Sequence, residues 1–220
     1  MSKTNFYSVI DVGTSKIRTI IMRVGTDGEF KIVGSSVVGN QGMQKGKITD
    51  RSLIEESIKT SISQAARYLE GRPPPISIAI SGINTSCTNT TGITYPKSLD
   101  RSISSKDLED LVETSYPNPR QDQSVVHVIP ISFLIDGSRA VRNPVGYHAG
   151  RLQVESYVVF GDQEQVNGLL EAVQSCGVRA KTLVLGSLAA AKSVLSRNEK
   201  ELGSVLIDMG AGTTEIAVFK

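Results

Sequence analysis

The chain has 220 residues, 39% hydrophobic and 21% charged, with a formal net charge of +2. That is enough for one good core or two modest ones, and the scattered, nearly balanced charge argues against nucleic acid as a partner, since phosphate-backbone affinity needs a concentrated basic face. Cys87 and Cys176 lack metal or redox spacing and read as free thiols in a reducing compartment; His127 and His148 make no metal cluster, no apolar run approaches the ~20 residues of a membrane span, and residues 1–7 lack the basic and apolar regions of a signal peptide.

In chain order, residues 6–11, 16–24 and 29–38 read as three strands, with turns at Gly13 and at Asp27-Gly28. The first turn carries chemistry. Val9-Ile10-Asp11-Val12-Gly13-Thr14-Ser15-Lys16 runs from an apolar strand through an aspartate and a glycine into hydroxyls and a lysine. Gly13 lets backbone N–H groups approach an anion, Thr14, Ser15 and Lys16 add donors and a positive charge, and Asp11 stands ready to hold a hydrated Mg²⁺. An Asp-x-Gly-Thr turn also makes an ordinary hairpin, so one copy alone is weak evidence.

Gly42-Met43-Gln44-Lys45-Gly46-Lys47 superficially looks like a P-loop but fails its spacing, because Gln41 stands five residues before Gly46 and no hydroxyl residue follows Lys47. It reads as a surface loop. Asp50 then caps a helix with an apolar stripe of Leu53, Ile54, Ile58, Ile62, Ala65, Ala66 and Leu69, ending at Gly71 and the prolines 73–75, before a strand over 76–82. From Ile83 the pattern changes: a threonine-rich strand over 85–95, a short helix from Ser104 with a capping-box pattern to Asp107, and strands over 125–135 and 151–160. This order, without a phosphate motif, reads as an inserted α+β module. Asp162 opens a helix ending at Gly177, 178–185 is a strand, 187–197 an alanine-rich helix, and Asn198-Glu199-Lys200-Glu201 a charged turn.

The phosphate grammar returns at the end. Val205-Leu206-Ile207-Asp208-Met209-Gly210-Ala211-Gly212-Thr213-Thr214 again runs strand, aspartate, glycines and hydroxyls. Two such hairpins flanking a long insert predict two related half-structures that clamp a nucleotide's phosphates, with Asp11 and Asp208 beside the metal.

With these pieces in place, the sequence resembles the actin, Hsp70 and sugar-kinase superfamily, and within it the FtsA-like family of bacterial cell division. The two phosphate motifs carry the superfamily resemblance. Gly46-Lys47-Ile48-Thr49-Asp50, Ile80-Ser81-Gly82, His127-Val128-Ile129-Pro130 with Asp136-Gly137, Asn143-Pro144-Val145-Gly146 and Arg151-Leu152-Gln153-Val154-Glu155 carry the family. Glu215 and Ala211 depart from the second motif, which more often has aspartate and glycine there.

The resemblance implies an α/β fold: an actin-like (ribonuclease H-like) nucleotide-binding domain with an inserted α+β module, truncated at the start of the second half. The implied division is 1–82 and 162–203 for the first actin-like half, 83–161 for an FtsA-type, SHS2-like module and 204–220 for the start of the second half. Because the chain ends one strand past the second motif, it is expected to be a fragment or a truncated gene product. The implied cofactors are ATP and Mg²⁺, bound by Asp11, Gly13, Thr14, Ser15, Lys16, Asp208, Gly210, Gly212, Thr213 and Thr214, with Asp11 and Asp208 serving the metal. No catalytic residue is assigned, and at most weak ATPase activity is expected. The implied role is a filament-forming protein that links the FtsZ ring to the membrane and recruits later division proteins. It would sit at the cytoplasmic face of the inner membrane at the division site, touching the membrane only through a C-terminal region outside this sequence. A small-molecule kinase of the same superfamily, or a type IV pilus or MreB-like assembly adaptor, is the alternative. With the second half lacking, the isolated chain is expected to bind ATP weakly, its second glycine turn not preorganised.

Overall fold

The computed structural model describes residues 5–26, 28–69, 71–82 and 84–219. Asp27 of the expected Asp27-Gly28 turn and Ile83 of the expected module boundary lie outside the described residues. The elements are β1 (Asn5–Val12), β2 (Lys16–Val24), β3 (Phe30–Gly39), β4 (Met43–Gln44), β5 (Lys47–Ile48), α1 (Arg51–Ala65) and β6 (Ile76–Ile80), then β7 (Ser86–Thr94), α2 (Ser105–Thr114), β8 (Gln123–Ile135), β9 (Arg139–Val141) and β10 (Leu152–Asp162). They continue with α3 (Gln163–Ser175), β11 (Ala180–Leu185), α4 (Gly186–Val194), α5 (Arg197–Leu202), β12 (Ser204–Met209) and β13 (Thr214–Phe219). No described helix is long and apolar enough to cross a membrane.

The chain divides into two compact units, residues 1–83 with 164–220, and residues 84–163. The first holds a five-stranded mixed sheet in the order β11-β6-β1-β2-β3; β1, β2 and β3 are antiparallel, and β6 runs parallel to both β1 and β11. Period-two alternation puts Ser8, Ile10 and Val12 of β1, Ile17, Thr19 and Ile21 of β2, and Ile76, Ile78 and Ile80 of β6 into the core. Against this face lies α1, started by Asp50, whose side chain accepts from Leu53 N–H at 3.0 Å, and burying Ile54, Ile58, Ser61, Ile62 and Ala65. Each of these large aliphatics contributes about 1.5–3 kcal/mol on leaving water. Polar groups in the seam are mutually satisfied: Thr19 Oγ1 lies 2.7 Å from Ser61 Oγ, and Ser36 Oγ donates to Ser61 O at 2.7 Å.

The second unit is an antiparallel sheet in the order β7-β10-β8-β9, with α2 against β7 and β10. Its core is Ile103, Leu111, Ile135, Ala149, Leu152 and Val154. The capping box forms as the sequence predicts: Asp107 N–H donates to Ser104 Oγ at 3.2 Å, and Ser104 N–H donates back to Asp107 Oδ2 at 2.9 Å.

Three local expectations change. Residues 42–48 form not a plain loop but the tight β4–β5 hairpin, turned by Lys45 at φ +49° and Gly46 at φ +74°. The stripe expected to run to Leu69 leaves α1 at Ala65, where Ala66 N–H already bonds back to Ile62 and Gln64 carbonyls. The charged turn at 198–201 is the helix α5, because Ser196 and Glu199 make a second capping box; the chain bends at Leu195, separating it from α4.

Candidate functional site

The first phosphate-type turn is closed by Gly13 N–H donating to Lys16 O at 3.1 Å. A buried asparagine braces it from behind. Asn40 Nδ2 donates to Gly13 O at 2.9 Å, Asn40 N–H to Ser15 O at 3.0 Å, and Asn40 Oδ1 accepts from Gly42 N–H at 3.0 Å. The second turn is closed in the same way, with Gly210 N–H donating to Thr213 O at 2.9 Å.

Both turns meet the β4–β5 hairpin and the end of β6. Gly46 N–H donates to Thr14 Oγ1 at 3.1 Å. Having accepted there, the Thr14 hydroxyl is left to donate its own proton elsewhere. The Thr213 methyl wedges between two glycines of positive φ: a β-carbon on Gly82 would lie 2.6 Å from Thr213 Cγ2, and one on Gly46 2.8 Å from it. Glu215 fixes β13, its Oε1 accepting from Gly82 N–H at 2.9 Å and its Oε2 from Ser187 N–H at 3.1 Å, at the start of α4. A glutamate therefore ties two chain segments to the second hairpin. Through these contacts β12 and β13, a sheet of only two strands, meet Gly46, Gly82 and Ser187.

Between the turns lies a cavity of about 480 Å³. Of the residues singled out from sequence, Asp11, Gly13, Thr14, Ser15, Lys16, Asp208, Gly210 and Thr213 line it. Gly212 instead packs against Thr14 and Lys45, since a β-carbon there would lie 2.7 Å from Thr14 Oγ1, and Thr214 opens β13 opposite Met209. Val12, Arg18, Met43, Gly46, Ser81, Met209, Ala211 and Glu215 complete the lining. Asn40 gave no signal of its own in sequence, because what defines it is a partner that only the fold supplies; Arg18 stood at the end of the first motif, without a role assigned to it.

The donor set fits a polyphosphate with Mg²⁺. Two glycine turns, four hydroxyl side chains and Lys16 face one cavity. The side chains of Asp208 and Lys16 have no hydrogen-bond or ion-pair partner among the described residues, whereas that of Asp11 pairs with Arg18 at 3.1 Å. No group of three or more His, Cys, Asp or Glu suited to a metal is found among the described residues. Two carboxylates acting through water suit Mg²⁺, which keeps several waters and takes substrate phosphates as ligands.

Residues 82–160 match a family model described as the SHS2 domain inserted in FTSA. The chain is 30% identical over 211 residues to the cell division protein FtsA of Escherichia coli K12, covering 96% of this chain and 50% of that protein. It is 33% identical over 212 residues to FtsA of Borreliella burgdorferi, covering 96% and 51%. The chain thus spans about half the length of the curated relatives it matches. Among solved structures it is similar to a chain of a PilM-PilN type IV pilus biogenesis complex, with TM-score 0.63, 18% identity and coverage of 96% of this chain and 57% of that one. It is also similar to the ethanolamine utilization protein EutJ of Carboxydothermus hydrogenoformans, with TM-score 0.50, 13% identity and coverage of 98% and 48%. At these identities the two structures speak for the fold alone. The chain therefore shares an actin-like fold with these structures and is similar to FtsA over about half of that protein's length, with a segment matching the SHS2 domain inserted between the two parts of its first unit.

Proposed function

We propose that this chain is the nucleotide-binding part of an actin-like bacterial cell-division protein. The complete protein assembles into filaments, links the FtsZ ring to the cytoplasmic face of the inner membrane, and recruits later division proteins. The observation that carries the nucleotide reading is the convergence of the Asp11 and Asp208 turns on one cavity; the division role rests on the similarity to FtsA.

In this reading the turns that the Gly13 and Gly210 N–H groups close let the backbone approach phosphate oxygens, and the hydroxyls of Thr14, Ser15 and Thr213 donate to them. Lys16 supplies a point charge, and Asp11 and Asp208 hold Mg²⁺ through its waters. Mg²⁺, when bound, neutralises phosphate charge. The residues bind and orient the nucleotide; none lining the cavity is placed as a general base, so binding that gates assembly fits better than rapid turnover.

The test is co-sedimentation of the protein from its complete reading frame with FtsZ polymers and lipid vesicles, with and without Mg-ATP. Joint pelleting that requires all three components supports the role. Binding to neither FtsZ nor itself would turn the reading toward the pilus-type or kinase alternatives.

A further inference from the structure

Opposite the phosphate-type turns, the five strands of the first unit's sheet finish in one row: β1, β3, β6 and β11 begin there and β2 ends there. At about 4.8 Å between neighbours, the row is about 19 Å wide. It carries Arg23, Lys31, Arg179 and Lys181, and the turn between α1 and β6 adds Arg67 and Arg72. Ser8 Oγ donates to Pro74 O at 2.9 Å and ties that turn to β1. These six basic residues are scattered through the sequence, and the strand order gathers them. Glu29 lies at the same end, and the sequence places Asp27 and Glu70 in the same turns; a surplus of three positive charges remains, against +2 for the whole chain.

Aromatic rings stand among the charges. Across the register Phe6 faces Arg23, and Arg23 faces Lys31. The helix α1 ends at Ala65, whose carbonyl a β-carbon on Gly34 would strike, and the row beyond it is bare: Phe6, Phe30 and Tyr68 are 41%, 71% and 82% exposed. The Arg67 guanidinium lies 5.7 Å from the Tyr68 ring centre, and Lys181 Nζ 5.1 Å from that of Tyr7. The side chains of Arg23, Lys31, Arg72 and Arg179 have no hydrogen bond or ion pair among the described residues. A ring beside a long basic side chain seats its apolar body at the headgroup boundary while the charge meets lipid phosphates. Charges spread across a row of strand ends suit a broad anionic surface better than a single acidic peptide.

We propose that this end of the first unit is a membrane-contact surface, resting on anionic lipid headgroups with Phe30 and Tyr68 at the interface. The choice of a bilayer as partner rests on the membrane-face role proposed above. The eight residues of β1 separate the surface from the Gly13 turn by roughly 25 Å, so the contact leaves the nucleotide cavity open.

Flotation of the 220-residue chain with vesicles of phosphatidylglycerol and phosphatidylcholine, and with vesicles of phosphatidylcholine alone, tests the proposal. Binding is expected to the anionic vesicles only, to fall with added salt, and to weaken about fivefold for each of Arg23→Gln and Lys31→Gln. Phe30→Ser should weaken it as well. All three side chains are exposed, so melting profiles of the variants should match the wild type, which separates a lost contact from a lost fold. Binding that ignores lipid charge, or that both charge substitutions leave unchanged, would overturn the proposal. Capture by immobilised polyglutamate and by no vesicle would overturn it in favour of an acidic protein partner. Vesicle binding by the protein from its complete reading frame, with none by the 220-residue chain, would overturn this surface alone; binding by neither would overturn the membrane role with it.

Discussion

Gly82 sits at φ +71°, with the place of its missing β-carbon 2.6 Å from the Thr213 methyl and 2.9 Å from Gly46 Cα. A side chain there meets both a disfavoured backbone conformation and a steric block. Gly82→Ala is therefore expected to destabilise the protein by about 2 kcal/mol or more in urea unfolding, and Thr213→Ser, which removes the methyl, should recover part of that loss. An additive double mutant would show that the wedge does not carry the strain. The candidate ligands were legible from sequence because aspartate, glycine and hydroxyls adjoin within each turn. Asn40 was not, since an asparagine after a strand is ordinary until Gly13 lies beside it, and the pairing of Arg18 with Asp11 shows only in the fold. Gly212, marked by its place in the motif, also has a packing use that the motif does not show, its small size bringing the second turn against Thr14.

The helix α2 was legible because its signals are local, with Ser104, Asp107 and the apolar seam in one short stretch. The Ser104 hydroxyl and N–H hold the Asp107 carboxylate below the ordinary value of 3.8. A carboxylate depressed on folding contributes stability that is fully present above its unfolded pKa and is lost as pH falls through its folded one. The acid limb of unfolding should therefore flatten below about pH 4 in Asp107→Asn. Ser104→Ala should cost about 1 kcal/mol near neutral pH, and less as pH falls through the folded-state pKa of Asp107. A cost that does not change with pH would detach the cap from the carboxylate's charge. The helix α5 and the β4–β5 hairpin were missed for opposite reasons. A six-residue helix is too short for periodicity to show, and its polar run looks like a turn until Ser196 and Glu199 close their box. The hairpin rests on two strands of two residues each, and on the positive φ of Lys45, which no propensity marks.

The division into an outer pair of segments and an insert was visible as a break and recovery of pattern, but the packing of the second hairpin by Thr213 and Glu215 was not, because it joins residues far apart in the chain. We expect removal of residues 83–161, with the ends joined, to leave a soluble unit with its five-stranded sheet intact; general unfolding on circular dichroism would count against that boundary. Charge reversal at Arg139, whose guanidinium lies 4.8 Å from the Tyr147 ring centre, should weaken assembly or partner binding while sparing nucleotide. For nucleotide itself, the cavity's described lining offers donors but no aromatic ring for a base. Association costs an estimated ~4–15 kcal/mol before affinity appears. The 220-residue chain alone should accordingly bind Mg-ATP no tighter than about millimolar, or about −4 kcal/mol. Titration of Mg-ATP into the protein from its complete reading frame is decisive for the two-turn site. Binding at about micromolar affinity, weakened roughly tenfold or more by Lys16→Ala and by Asp208→Ala, is the expected result; tight binding indifferent to both substitutions would place the nucleotide elsewhere and contradict the site described.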